Sequence, residues 1–177
     1  MASNEGNRPA PTTSDAVSSD SQSSFSLWVI EKRVILTRLS GAFNREDSIA
    51  GIRRVGEMMQ QGEAPVHLIM DMRGTTNFTT NFREIIPEIM QFRQQMTKSW
   101  TVMITEAKLI RFFGTLVANT LRGRFQIATS VEDALTLLLT VDTSLRALSI
   151  QPYPTYSVDR APEADTAPTK DEPKASS

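Results

Sequence analysis

The 177 residues suffice for one domain with tails, and a 40% hydrophobic content marks a globular core. The chain has no Cys, which excludes disulfides, thiolate metal sites and a cysteine nucleophile. Net charge is −1; residues 25–141 hold 14 Lys and Arg against 11 Asp and Glu with no basic block, which excludes dedicated nucleic-acid binding.

The apolar residues are unevenly spread. Residues 1–24 are Ser, Asn, Asp, Thr and Pro, and residues 142–177 are rich in Pro, Thr, Asp, Glu and Lys. Neither end carries enough apolar surface to offset ordering costs of roughly 1–2 kcal/mol per residue, so both are expected to be disordered tails around a domain at 25–141. The first residues lack the charged and apolar regions of a secretory signal. No apolar run approaches the roughly 20 residues of a membrane span. A cytoplasmic protein is expected.

Phe25–Ile30 and Val34–Leu39 read as strands joined by Glu31-Lys32-Arg33, an antiparallel hairpin. Ser40-Gly41 reads as a break. Asn44 and Asp47 form a capping-box pair ahead of Ile49, Ile52, Val55 and Met59 at helical spacing, and Gly62 and Pro65 end that helix. Val66–Met72 is a nearly continuous apolar run, as in a central strand covered on both faces. A loop at Gly74–Thr80 follows, then a helix carrying Phe82, Ile85, Ile86, Ile89 and Met96. Pro87 kinks that helix or marks its true start.

Trp100–Ile104 is the next strand. The helix at 107–121 has an apolar set wide enough either to pack on two neighbours or to leave one edge as a partner surface. Arg124–Ala128 is a last strand, and Ser130 with Asp133 caps the final helix. The order ββαβαβαβα predicts a mixed sheet whose later strands are parallel, with right-handed crossovers.

Few residues carry chemistry. His67 is the single histidine, and alone on an apolar strand it reads as a core residue rather than a metal ligand. Asp71 ends the central strand. It reads as the partner of a cation such as Arg73, or as an acceptor of loop N–H groups, rather than as a catalytic acid. Neither a P-loop nor a dinucleotide fingerprint is present, and no cofactor is expected. Thr75, Thr76, Thr79 and Thr80 sit at the head of a helix, where they serve as turn-makers and caps or as a phosphorylation switch. Arg111, Arg122 and Arg124 are expected around the helix at 107–121.

The Trp28–Leu39 hairpin, Leu68-Ile69-Met70-Asp71-Met72-Arg73-Gly74 and Phe125-Gln126-Ile127-Ala128-Thr129-Ser130-Val131-Glu132-Asp133-Ala134 together resemble the STAS-like superfamily. More narrowly, they resemble its SpoIIAA-like branch of small bacterial proteins, over residues 27–141. The resemblance implies an α/β fold with a mixed sheet and helices packed mainly on one face. It also implies a regulatory, non-enzymatic module like the anti-sigma factor antagonists, which bind a partner kinase and are switched by phosphorylation of a Ser at the head of the second helix. The family's Asp-Ser-Ser-Gly run falls on Thr79-Thr80-Asn81-Phe82, so the acceptor position is Asn81, or Thr80 with a one-residue shift. The expected contact surface is Thr76, Asn77, Phe78, Thr79, Thr80 and Asn81, with Thr79 and Thr80 as candidate phosphorylation sites. The expected partner is a protein, a kinase or an anti-sigma-type regulator. Homodimerisation through the helix at 107–121 is a further expectation. The alternative is a domain binding a small molecule (a lipid, a nucleotide or another anion) between the 74–82 loop and that helix.

Overall fold

The computed structural model describes residues 23–78 and 82–154. The elements are β1 (Ser23–Ile30), β2 (Val34–Phe43), α1 (Arg45–Gln61), β3 (His67–Phe78), α2 (Phe82–Met90), α3 (Arg93–Lys98), β4 (Trp100–Ile104), α4 (Lys108–Leu121), β5 (Arg124–Ala128) and α5 (Val131–Val141), followed by a 3₁₀ turn, η1 (Thr143–Ala147). The five strands form one sheet in the order β1-β2-β3-β4-β5. β1 is antiparallel to β2, and β2 through β5 are parallel.

This order decides where the helices go. Each parallel strand lies beside the one before it, always stepping in the same direction. Right-handed crossovers then place every connecting helix on the same face. Accordingly Met59 and Val55 of α1 and the following Met96 pack with Ile35 and Leu68 on one face. Only α5, which follows the last strand, is free to cross to the other side. There Val131, Ala134, Leu135 and Leu138 join Val34, Leu36, Ile69, Val102 and Ile104. The expected mixed sheet with helices mainly on one face is thus the arrangement found.

Local signals explain the element ends. The Asn44 side chain accepts from Asp47 N at 3.0 Å, and the Asp47 carboxylate accepts from Asn44 N at 3.3 Å, completing the capping box of α1. Ser130 Oγ accepts from Asp133 N at 3.0 Å to open α5. α4 is closed by Arg122 in the left-handed region (φ 53°, ψ 30°) rather than by Gly123, whose N–H bonds Ala118 O at 3.0 Å.

Four expectations need correction. Ser40-Gly41 does not break β2: Gly41 takes φ 88° between two register shifts, and the strand continues to Phe43. Consequently β3 does not end in a loop at Gly74. It pairs onward with the prolonged β2, Gly74 opposite Ser40, Thr75 opposite Gly41 and Phe78 opposite Phe43. The helix after it is two helices: Pro87 is tolerated inside α2, and the break falls at Gln91-Phe92.

The domain also does not stop at Val141. Leu145 of η1 is fully buried, Ile150 bridges Ile30, and Gln151 N donates to Val29 O at 2.7 Å. Tyr153 Oη donates to Glu132 Oε1 at 3.0 Å. Residues 142–154 read as tail because one apolar plug and a few polar anchors hold them, too few to show in composition.

Candidate functional site

Two polar clusters sit on the α5 face. Asp71 is 0% exposed. Its carboxylate accepts from Arg73 Nε at 2.9 Å and Nη2 at 2.8 Å, and from Arg38 Nε at 3.2 Å. Burial pushes the Asp71 carboxyl up, but the bonds from Arg73 and the charge of Arg38 outweigh it and leave the group below its ordinary value. The acid is therefore held ionised between two guanidiniums, in the structural role expected from sequence.

At the opposite end of the parallel strands, His67 is 1% exposed. Its Nδ1 accepts from Trp100 N and its Nε2 bonds Asp142 Oδ2, both at 3.0 Å. Asp142 also takes Arg33 Nη2 at 2.8 Å and the backbone N–H and hydroxyl of Ser144. Burial lowers the His67 pKa despite the pull of Asp142. A neutral ring suits this geometry, because Nδ1 must keep a lone pair for Trp100 N. On Asp142, burial is outweighed by its bonds to Ser144 and His67 and by the Arg33 charge, and its pKa lies below the ordinary value. Sequence alone identified His67 as a core residue but missed Asp142 and Arg33 as its companions. Among the described residues no group of three or more His, Cys, Asp or Glu is placed to hold a metal ion.

Of the sequence-predicted contact residues, Thr76, Asn77 and Phe78 lie at the end of β3. Thr75 is not at a helix head; its hydroxyl donates to Leu39 O at 3.3 Å within the β2–β3 extension. Thr76 is exposed near the end of β3. Asn77 and Phe78 end that strand opposite Ala42 and Phe43. Thr79, Thr80 and Asn81 lie outside the described residues. The three arginines expected together are not: Arg111 donates twice to Thr105 O at the start of α4, Arg122 closes that helix, and Arg124 lies over the Trp100 ring at 5.9 Å.

α4 itself has two faces. Outward, Phe112 is 63% exposed and Leu116 45%, one turn apart. Inward, Ile110, Gly114 and Val117 border a cavity of ≈ 190 Å³ between the sheet and helices α1, α2 and α4. Met59, Met70, Met72, Met96 and Met103 line it. The polar groups at its edge are largely committed to protein: Asp47 in the α1 capping box, Ser48 Oγ to Asn44 O at 2.7 Å, and Thr37 Oγ1 with Ser26 Oγ at 3.0 Å. No sequence pattern locates such a void; the only trace is the share of the eight methionines that converge on it.

No family model matches the chain, and no curated protein matches it. Among solved structures it is similar to an uncharacterised protein of the DUF3478 family with a SpoIIAA-like fold from Shewanella loihica, at 11% identity and a TM-score of 0.48, covering 66% of this chain and 93% of that one. It is also similar to an anti-sigma factor antagonist from Mycobacterium paratuberculosis, at 17% identity and a TM-score of 0.46, covering 67% of this chain and 95% of that one. The fold is α/β, a five-stranded mixed sheet flanked by helices. Likenesses this distant say nothing of partner or ligand. Among the described residues no helix is long and apolar enough to cross a membrane.

Proposed function

We propose that the protein is a non-enzymatic regulatory module that holds a protein partner at the C-terminal edge of its parallel strands, through residues 74–82 and the outer face of α4. The observation that carries this reading is the exposure of Phe112 and Leu116, two large apolar side chains one turn apart on α4. β3 runs on beyond its last pair with β4, Asp71 opposite Ile104, to Phe78, and α4 begins at Lys108 just after β4 ends. α4 contributes Lys108 and Arg111 and no acid. The partner surface that fits is therefore an apolar anchor flanked by carboxylates. Asp71, buried, and Asp142, partly buried, are each held by arginines, which supports a binding role over a catalytic one. The regulatory sense, with a kinase or anti-sigma-type protein as partner, is what the sequence resemblance implies. Thr79 and Thr80 remain the candidate modified residues.

The test is quantitative binding of an identified partner. Affinity-purified complexes are analysed by mass spectrometry, and the partner is then titrated against purified variants. Leu116→Asp and Phe112→Ala are each expected to weaken binding by about 2 kcal/mol, as hot-spot truncations do. Thr80→Asp is expected to alter affinity if the switch operates. Light scattering of the protein alone separates a second copy of this chain from a different partner. Unchanged affinity in both α4 variants refutes the α4 contact, and unchanged affinity in Thr80→Asp refutes the switch.

A further inference from the structure

We propose that the cavity beneath α4 is a binding site for a neutral, apolar small molecule, of the size of a bicyclic aromatic or a medium-length alkyl chain. This goes beyond the docking reading, since the cavity lies on the inner side of α4.

Three observations converge. The first is size: an apolar protein cavity of about 150 Å³ binds benzene, and this one, partly open to solvent, measures ≈ 190 Å³. The second is chemistry. The walls are overwhelmingly apolar, Thr37, Asp47 and Ser48 at the edge are hydrogen bonded within the protein, and the one cation at the lining, Arg124, has its guanidinium over the Trp100 ring. A nucleotide or a free anion would lose its water and gain no cation in return. That removes the charged ligands from the small-molecule alternative and leaves the hydrocarbon-like one. The third is the pairing of adaptable walls with deliberate vacancy. Five methionine side chains, unbranched and polarizable, reshape around an apolar guest. Gly51, in the middle of α1, borders the cavity, and a Cβ built there meets no atom within 4 Å. A glycine inside a helix is unfavourable. Here it also leaves open the space that any larger side chain would fill.

The full chain is titrated by calorimetry with naphthalene, n-decanol and decanoate. The wild type is expected to bind one equivalent of a neutral probe saturably, with a rise in Tm, and to bind decanoate at least tenfold more weakly than decanol. Gly51→Leu is expected to lose at least tenfold in affinity while melting at or above the wild-type temperature, because it fills the space it occupies. Val117→Phe, from the opposite wall, does the same, so that misfolding of one variant leaves the other to decide. Solvent extraction and mass spectrometry of the protein as isolated covers a guest already bound: an apolar compound at one equivalent in the wild type and absent from Gly51→Leu supports the site. Two results overturn the proposal: no neutral probe binding and no extracted compound, or affinity unchanged in a folded filled variant. Equal affinity for decanoate and decanol overturns the assignment of a neutral ligand.

Discussion

The two faces of the sheet are built on different principles. On the α5 face the side chains of six elements close into a single buried cluster, and even its charged groups, Asp71 with Arg38 and Arg73 and Asp142 with Arg33 and His67, are paired within the protein. On the other face four helices cover the sheet, yet its buried cluster is small and borders a void. On that face the cavity opens between the sheet and helices α1, α2 and α4. The lesson is that the number of covering helices does not measure packing; one face carries the stability and the other keeps room.

The sharpest way to break this contrast is to remove the acid that holds Arg38 and Arg73 together on the α5 face. Asp71→Ala deletes the acceptor shared by Arg38 and Arg73 at a fully buried site, and is expected to cost about 3–5 kcal/mol in urea unfolding. Matched truncations on the two faces come next. Leu138→Ala, at a position with no exposure, is expected to cost about 3–5 kcal/mol, whereas Met103→Ala, whose side chain already borders the void, is expected to cost about 2 kcal/mol or less. Equal losses would mean that the cavity face is as tightly packed as the other.

Acidity probes the same asymmetry, since His67, Asp71 and Asp142 all belong to the α5 face. The folded His67 has a lowered pKa, so the unfolded chain takes up its proton first. The stability from neutral His67 is fully present above the unfolded value of about 6.5 and is lost as pH falls through the folded value, with a slope of at most about 1.4 kcal/mol per pH unit. Asp71 and Asp142, also lowered, add a second loss that begins below about pH 4. Urea midpoints measured from pH 8 to 3 should show both steps; a flat response between pH 7 and 5 would exclude the first. The smallest effect compares two glycines of α1. Gly51→Ala should stabilise by about 1 kcal/mol, while Gly56→Ala should destabilise, because a Cβ there would come within 2.1 Å of the Phe92 ring. Calorimetric Tm values give the two signs directly.

What could be read in advance divides along local and non-local lines. The caps at Asn44 and Ser130 were legible because donor and acceptor lie three residues apart. So was the mixed sheet with its later strands parallel, since a hairpin followed by repeated βα units implies it. The extension of β2 and β3 was not, because Gly41 breaks a strand only when no neighbour continues alongside it, and Thr75 looks like a loop residue until Leu39 O is placed beside it. Asp142 was lost among tail residues because its partners, His67 and Arg33, are 75 and 109 positions away. The cavity was invisible for a deeper reason: it consists of what α4 fails to touch, and no residue type encodes an absence.

The long reach of Asp142 also sets a timetable. During synthesis, the strands and helices around the cavity have all emerged once β5 is complete, but the α5 face then still exposes Leu36, Ile69 and Val102. It can be sealed only when α5 and Leu145 arrive, after every strand of the sheet. Contacts this distant in sequence are formed late, after the entropy of a long loop has been overcome. The face that makes the finished protein stable is therefore the one left sticky longest, and on a stalled ribosome it is the surface a chaperone would meet.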